Sequence, residues 1–85
     1  MSGTIAVAQG EYGETRLLEA PDETDNQYRL DVGGIQVLFD TVEMSQSRKE
    51  FDFFRGDDRV NHIEANVLPD KVQGALGVLS RNQNN

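Results

Sequence analysis

The chain has 85 residues and is strongly acidic, because 15 aspartates and glutamates stand against 8 lysines and arginines and give a formal net charge of −7 at pH 7. This length fits a single small domain over residues 1–85, of which residues 82–85 are predicted to be a frayed tail. The chain has no cysteine, which excludes a disulfide framework and a thiolate metal site. An acidic domain is repelled by phosphate backbones, so we expect no direct binding of nucleic acid.

The sequence also supports expectations about the protein's cellular location and its binding partner. The first residues, 1–4, show neither the basic region nor the apolar core of a signal peptide. No apolar run approaches the roughly 18 residues of a membrane span, so we expect a cytoplasmic protein without membrane contact. The net charge favours a protein partner with a basic surface, since long-range attraction speeds association. An acidic chain with only two lysines also suits a protein that stays soluble in high salt, which would explain the charge without a partner.

The first half of the chain is typical of short antiparallel strands. Residues 4–8, 15–19 and 28–32 read as strands, and the last of them alternates apolar and polar residues cleanly. Gly33-Gly34 lies between two apolar runs, and two glycines at this spacing predict a tight β-hairpin, since its two-residue turn requires positive φ.

The second half continues with strands and ends in a helix. A strand from Ile35 to as far as Met44 carries apolar residues on both faces, which favours a central position in a sheet. Residues 50–54 and residues 60–68 are predicted as further strands. From Pro69 onward apolar residues recur at helical spacing, and proline suits the first position of a helix.

These elements predict a fold of the α+β class that is mostly β. We expect an antiparallel meander of five or six strands, either an open sheet or a small barrel, with one C-terminal helix packed on it. The two glycines of the helix, Gly74 and Gly77, either let it lie close to the sheet or indicate that it is short.

The residue types leave little basis for catalysis. The single histidine, His62, is the only imidazole base for the chain's serines, and no third group is placed beside it. The acidic loop at residues 22–26 lacks the glycine and the final glutamate of a calcium-binding loop, because Gln27 and Gly33 occupy those positions. We therefore predict a protein that is not an enzyme and has neither a metal nor a cofactor.

The main functional prediction is an acidic protein-interaction module. Six carboxylates and one arginine lie between residues 11 and 25, so most of the net charge belongs to the first hairpin and its outgoing loop. This acidic patch is expected to dock on a basic, nucleic-acid-binding surface of a partner and to act as an inhibitor or regulator. Its residues are Glu11, Glu14, Glu19, Asp22, Glu23 and Asp25.

Two alternatives stay open. The first is a small-ligand binding domain, with an aromatic pocket between sheet and helix. A polar binding stripe is a separate expectation for the last strand, on condition that the helix leaves that face of the sheet open. The second is a structural subunit that assembles with copies of itself through a strand edge or the helix face; the oligomeric state is not determined by the sequence. The predicted pocket comprises Tyr28, Phe39, Phe53 and Phe54, and the polar stripe comprises His62, Glu64 and Asn66.

Overall fold

The structure, a computed structural model, describes residues 3–19 and 27–83. Its first four strands are β1 (Thr4–Gly10), β2 (Gly13–Glu19), β3 (Tyr28–Val32) and β4 (Ile35–Phe39), and its next three are β5 (Thr41–Met44), β6 (Glu50–Arg55) and β7 (Asp58–Glu64). A short 3-10 helix (Ala65–Val67) then leads into the C-terminal helix α1 (Asp70–Gln83).

The strands form two antiparallel sheets in which every strand pairs with its neighbours in sequence. The first sheet has the order β1-β2-β3-β4, and the second has the order β5-β6-β7. Helix α1 packs against β1 and β5, so it bridges the two sheets along one side. The α+β class and the C-terminal helix are confirmed, whereas the single meander is divided into two sheets.

The chain passes from one sheet to the other at Asp40, where the sequence predicts one continuous strand. The backbone N–H of Asp40 donates to the carbonyl of Phe54 at 2.8 Å, and its carboxylate accepts the N–H of Gly56 at 3.0 Å. Val37 and Phe39 face the core before this point, and Val42 faces it afterwards. The side chains that face the core are odd-numbered before the crossing and even-numbered after it, which is why apolar residues occur at both alternations of this segment. The prediction of a central strand was wrong.

A single apolar core fills the space between the two sheets and α1. Phe39 and Phe53 are fully buried and meet edge to face, with ring centroids 4.9 Å apart. Val72 and Leu76 reach the same core from the helix and are likewise fully buried. Each such side chain contributes about 1.5–3 kcal/mol through removal from water, so the helix is an integral layer of the fold.

Helix α1 begins after Pro69, as the sequence predicts, and its ends match the helix dipole with Asp70 in the first turn and Arg81 in the last. Its glycines differ in role. A side chain at Gly77 would touch Met44 Sδ at 3.7 Å, so this glycine lies close to β5, whereas a side chain at Gly74 would meet nothing within 4 Å. The helix continues through Gln83, so half of the predicted tail is helical; residues 84–85 lie outside the described part of the chain.

The segment before α1 is shorter as a strand than predicted. β7 ends at Glu64, and residues 65–67 turn into the 3-10 helix instead of extending the strand to residue 68. The side chain of Gln73 explains this turn, because its amide donates to the carbonyls of Ala65 at 2.7 Å and Leu68 at 2.8 Å. Within the described ranges, neither helix has the length and apolar character that a membrane crossing requires.

Candidate functional site

An apolar groove lies on the side of the molecule that α1 leaves uncovered. It is a concavity of about 400 Å³ between the tip of the β3–β4 hairpin and the second half of β7. We define the apolar groove by the apolar side chains among its lining residues: Tyr12, Val32, Ile35, Val37, Ile63 and Val67. Asn61, His62 and Glu64 supply the polar part of its lining.

Two large apolar side chains at the mouth of the groove are unusually open to solvent. Ile35 is 61% exposed and Tyr12 is 58% exposed, although both belong to short, well-formed hairpins. Isolated exposed apolar residues are common, but a contiguous set in a concavity is typical of a binding surface. The groove therefore has the composition of a contact site, with buried Val37 at its base.

Backbone geometry holds Tyr12 at this position. Gly33 and Gly34 have φ values of 54° and 84° in the hairpin turn, which only glycine adopts readily. A side chain at Gly33 would begin only 3.2 Å from Cβ of Tyr12, so the β1–β2 turn packs directly on the β3–β4 turn. The two turns thereby form one wall of the groove.

His62 sits at the rim between two carboxylates of the neighbouring strand. Its Nδ1 lies 2.6 Å from Oδ1 of Asp52, and its Nε2 lies 3.0 Å from Oε1 of Glu50. The hydrogen bond to Asp52, reinforced by the negative charges of Asp52 and Glu50, raises the pKa of His62 above its ordinary 6.5, against opposing effects of desolvation and of Arg59. Only the imidazolium has an N–H for each carboxylate, so this arrangement suits the charged form.

The polar stripe predicted on β7 is thus only partly assembled. His62 and Glu64 are exposed on β7, but Asn66 lies in the 3-10 helix. The side chain of His62 is engaged by β6 rather than by these two residues. In the described part of the chain, no three histidine or carboxylate groups are arranged as ligands of one metal ion.

Three of the four aromatic residues predicted to line a ligand pocket pack on one another. Phe39 and Phe53 are fully buried, and Tyr28 stacks on Phe39 with a centroid distance of 5.5 Å. Phe54 is half-buried on β6, after the irregular pairing between Phe53 and Phe54. The apolar groove is lined by none of these four residues.

The predicted acidic patch is spread along β2. Glu11 and Glu14 lie at its turn end, where Glu14 pairs with Arg16, and Glu19 lies at the opposite end. The six steps of extended chain from Gly13 to Glu19 span about 20 Å, so the structure does not bring Glu11 and Glu19 together. Asp22, Glu23 and Asp25 lie outside the described residues.

A second concavity, of about 580 Å³, is lined mainly by polar and charged residues. It lies between the β5–β6 turn and the start of α1, and its charged lining comprises Arg48, Lys49, Glu50 and Glu64. Two positive and two negative side chains give it no preference for a charged ligand, so it offers a weaker basis for a function than the apolar groove.

Two residues that line the groove stand out in the sequence, but the sequence pattern does not indicate that they lie together. Tyr12 is an aromatic residue in a turn between Gly10 and Gly13, and Ile35 directly follows the glycine pair of a hairpin. Each is an apolar residue at a solvent-exposed turn, but only the fold places the two turns side by side. No protein-family model, no curated protein and no solved structure matches this chain.

Proposed function

We propose that this protein is a non-enzymatic interaction domain that binds a basic partner protein through the apolar groove. The observation that carries the proposal is the pair of exposed side chains, Tyr12 and Ile35, at the mouth of a concavity between the two sheets. Burial of such large apolar side chains against a partner supplies the energy of association in protein interfaces.

The charge supports a basic partner. His62 and Glu64 lie in the lining of the groove, and the ring of His62 is paired with the carboxylates of Asp52 and Glu50. The whole chain carries a net charge of −7. A negative field accelerates encounter with a positively charged protein and disfavours encounter with another acidic one. In this proposal the carboxylates steer the partner, and the apolar groove holds it.

A photo-crosslinking experiment tests the proposal in cells. A photoreactive phenylalanine analogue at position 35 is expected to capture one discrete protein, whereas the same analogue at position 78 is expected to capture none. Val78 is the matched control, because it is also an exposed apolar residue, 47% accessible, but lies on α1.

The captured protein is then purified and its affinity measured directly. We expect Ile35→Ser to weaken binding at least tenfold and Val78→Ser to leave it unchanged, with binding weaker at higher salt. Equal affinity of the partner for the unsubstituted protein, Ile35→Ser and Val78→Ser would refute the groove as the binding site.

A second candidate, a small apolar ligand in the same groove, is favoured by its volume, since ligand pockets usually measure about 300–1,000 Å³. This candidate would be supported by two results together. A metabolite would raise the melting temperature of the protein but not that of Ile35→Ser, and the crosslinking experiment would capture no protein.

A further inference from the structure

Among the described residues, the two sheets have four edge strands: β1, β4, β5 and β7. Helix α1 covers two of them. β1 and β5 both pack against the helix. The backbone N–H of Met44 on β5 is directed away from β6 and donates to Ser80 Oγ of α1 at 3.3 Å. β1 is further interrupted by an irregular register between Thr4 and Ala6. Neither strand offers a regular open edge to another chain.

The edge of β7 is protected in a different way. Its pairing with β6 is irregular, and it carries charged residues at both ends. Ala65 N–H donates to the carbonyl of Lys49, so Ala65 and every second residue before it direct their backbone groups toward β6. The residues between them, His62 included, direct their N–H groups to the outer edge. The N–H of His62 is already satisfied, since it donates to Oδ1 of Asn61 at 2.8 Å.

β4 has none of these protections. Its residues, Ile35–Phe39, include no charged side chain, and its register with β3 is regular. One face of β4 lines the groove through Ile35 and Val37. In a two-residue hairpin the residues that flank the turn form a hydrogen-bonded pair, here Val32 and Ile35. The N–H and C=O groups of Gln36 and Leu38 are therefore directed to the open edge.

We propose that the partner enters the groove as an added β-strand on β4. This inference rests on the proposed function and specifies its binding mode. The occupant is an extended segment with alternating apolar residues and basic flanks: its backbone bonds to Gln36 and Leu38, and its apolar side chains pack beside Ile35 and Ile63. A second copy of this chain is the less favourable occupant, because each copy carries a charge of −7.

The experiment uses a defined probe, the amidated peptide Lys-Lys-Val-Thr-Val-Thr-Val-Lys-Lys, titrated into the ¹⁵N-labelled full chain. We expect the backbone amides of Gln36 and Leu38 to shift and to exchange at least tenfold more slowly with solvent, while the amide of His62 keeps its exchange rate. Two further peptides carry N-methyl groups on either the valines or the threonines. Since alternate residues bond to opposite edges, one of the two is expected to bind at least tenfold more weakly.

The protein variants Gln36→Pro and Gln36→Thr give an independent comparison. Proline removes the N–H of Gln36, which β3 does not use, and edge strands tolerate proline at such positions. We expect the proline variant to bind the probe at least tenfold more weakly and the threonine variant to bind it normally. Should the proline variant fail to fold, the methylated peptides test the same hydrogen bonds.

Three results would overturn strand addition: no binding of the probe at millimolar concentration, equal binding of both methylated peptides, or protection of the His62 amide in place of Gln36 and Leu38. Each leaves the proposed function to be decided separately by the crosslinking at position 35. A concentration-dependent dimer whose contacts protect Gln36 and Leu38 would identify a second copy as the occupant and overturn the basic partner.

Discussion

Truncation of Leu76 on α1 tests whether the helix is an integral layer of the core. This side chain is fully buried between the two sheets, and its replacement by alanine removes apolar contacts and leaves a cavity. Leucine-to-alanine changes in cores cost about 2–5 kcal/mol, and we expect about 3 kcal/mol here. A domain of this size has a total stability of about 4–13 kcal/mol, so the loss is a large fraction of it.

Urea unfolding followed by circular dichroism measures the effect. With a denaturant slope of about 1 kcal/mol per M for so small a chain, the midpoint of Leu76→Ala should fall by about 3 M. The control, Val78→Ala, alters an exposed residue two positions away and should change stability by less than about 0.5 kcal/mol. A midpoint shift below about 1 M for Leu76→Ala would refute the reasoning, because the sheets would then retain their core without the helix.

Three further predictions concern single groups. The raised pKa of His62 means that its charged form stabilises the fold fully below pH 6.5 and that this contribution is lost as the pH rises through the folded-state pKa. NMR titration of the imidazole ring should give a pKa above 6.5, and Asp52→Asn should lower this pKa. Ser80→Ala removes the acceptor for Met44 N–H and should cost about 1 kcal/mol in urea unfolding, with faster exchange of that amide. Gly74→Ala should raise stability by about 0.5–1 kcal/mol, since nothing obstructs the added methyl group; a lower melting temperature would contradict this.

The local elements could be predicted from the sequence wherever a single interaction decides them. The hairpin at Gly33-Gly34 forms at the predicted residues, because its turn requires positive φ at both positions. β3 has the predicted limits, and α1 begins where Pro69 indicates. In each of these cases the determining residues lie within a few positions of one another.

Features that depend on distant residues could not be predicted in the same way. The crossing at Asp40 is stabilised by contacts with Phe54 and Gly56, and the end of β7 is fixed by Gln73. The groove forms because the turn that contains Tyr12 packs on Gly33. Alternation of apolar residues indicates a buried face, but it does not show which strand edges stay open.

The neighbour-to-neighbour pairing of the strands has a consequence for how the protein folds. Because each strand pairs only with strands adjacent in sequence, each sheet can assemble from hairpins through short loop closures. The longest closure joins α1 to β1, across nearly the whole chain. We expect folding that is fast for a β-rich domain, with helix docking as a late step. Before that step the edges of β1 and β5 are uncovered, so the partly folded chain is most vulnerable to aggregation while the helix is undocked.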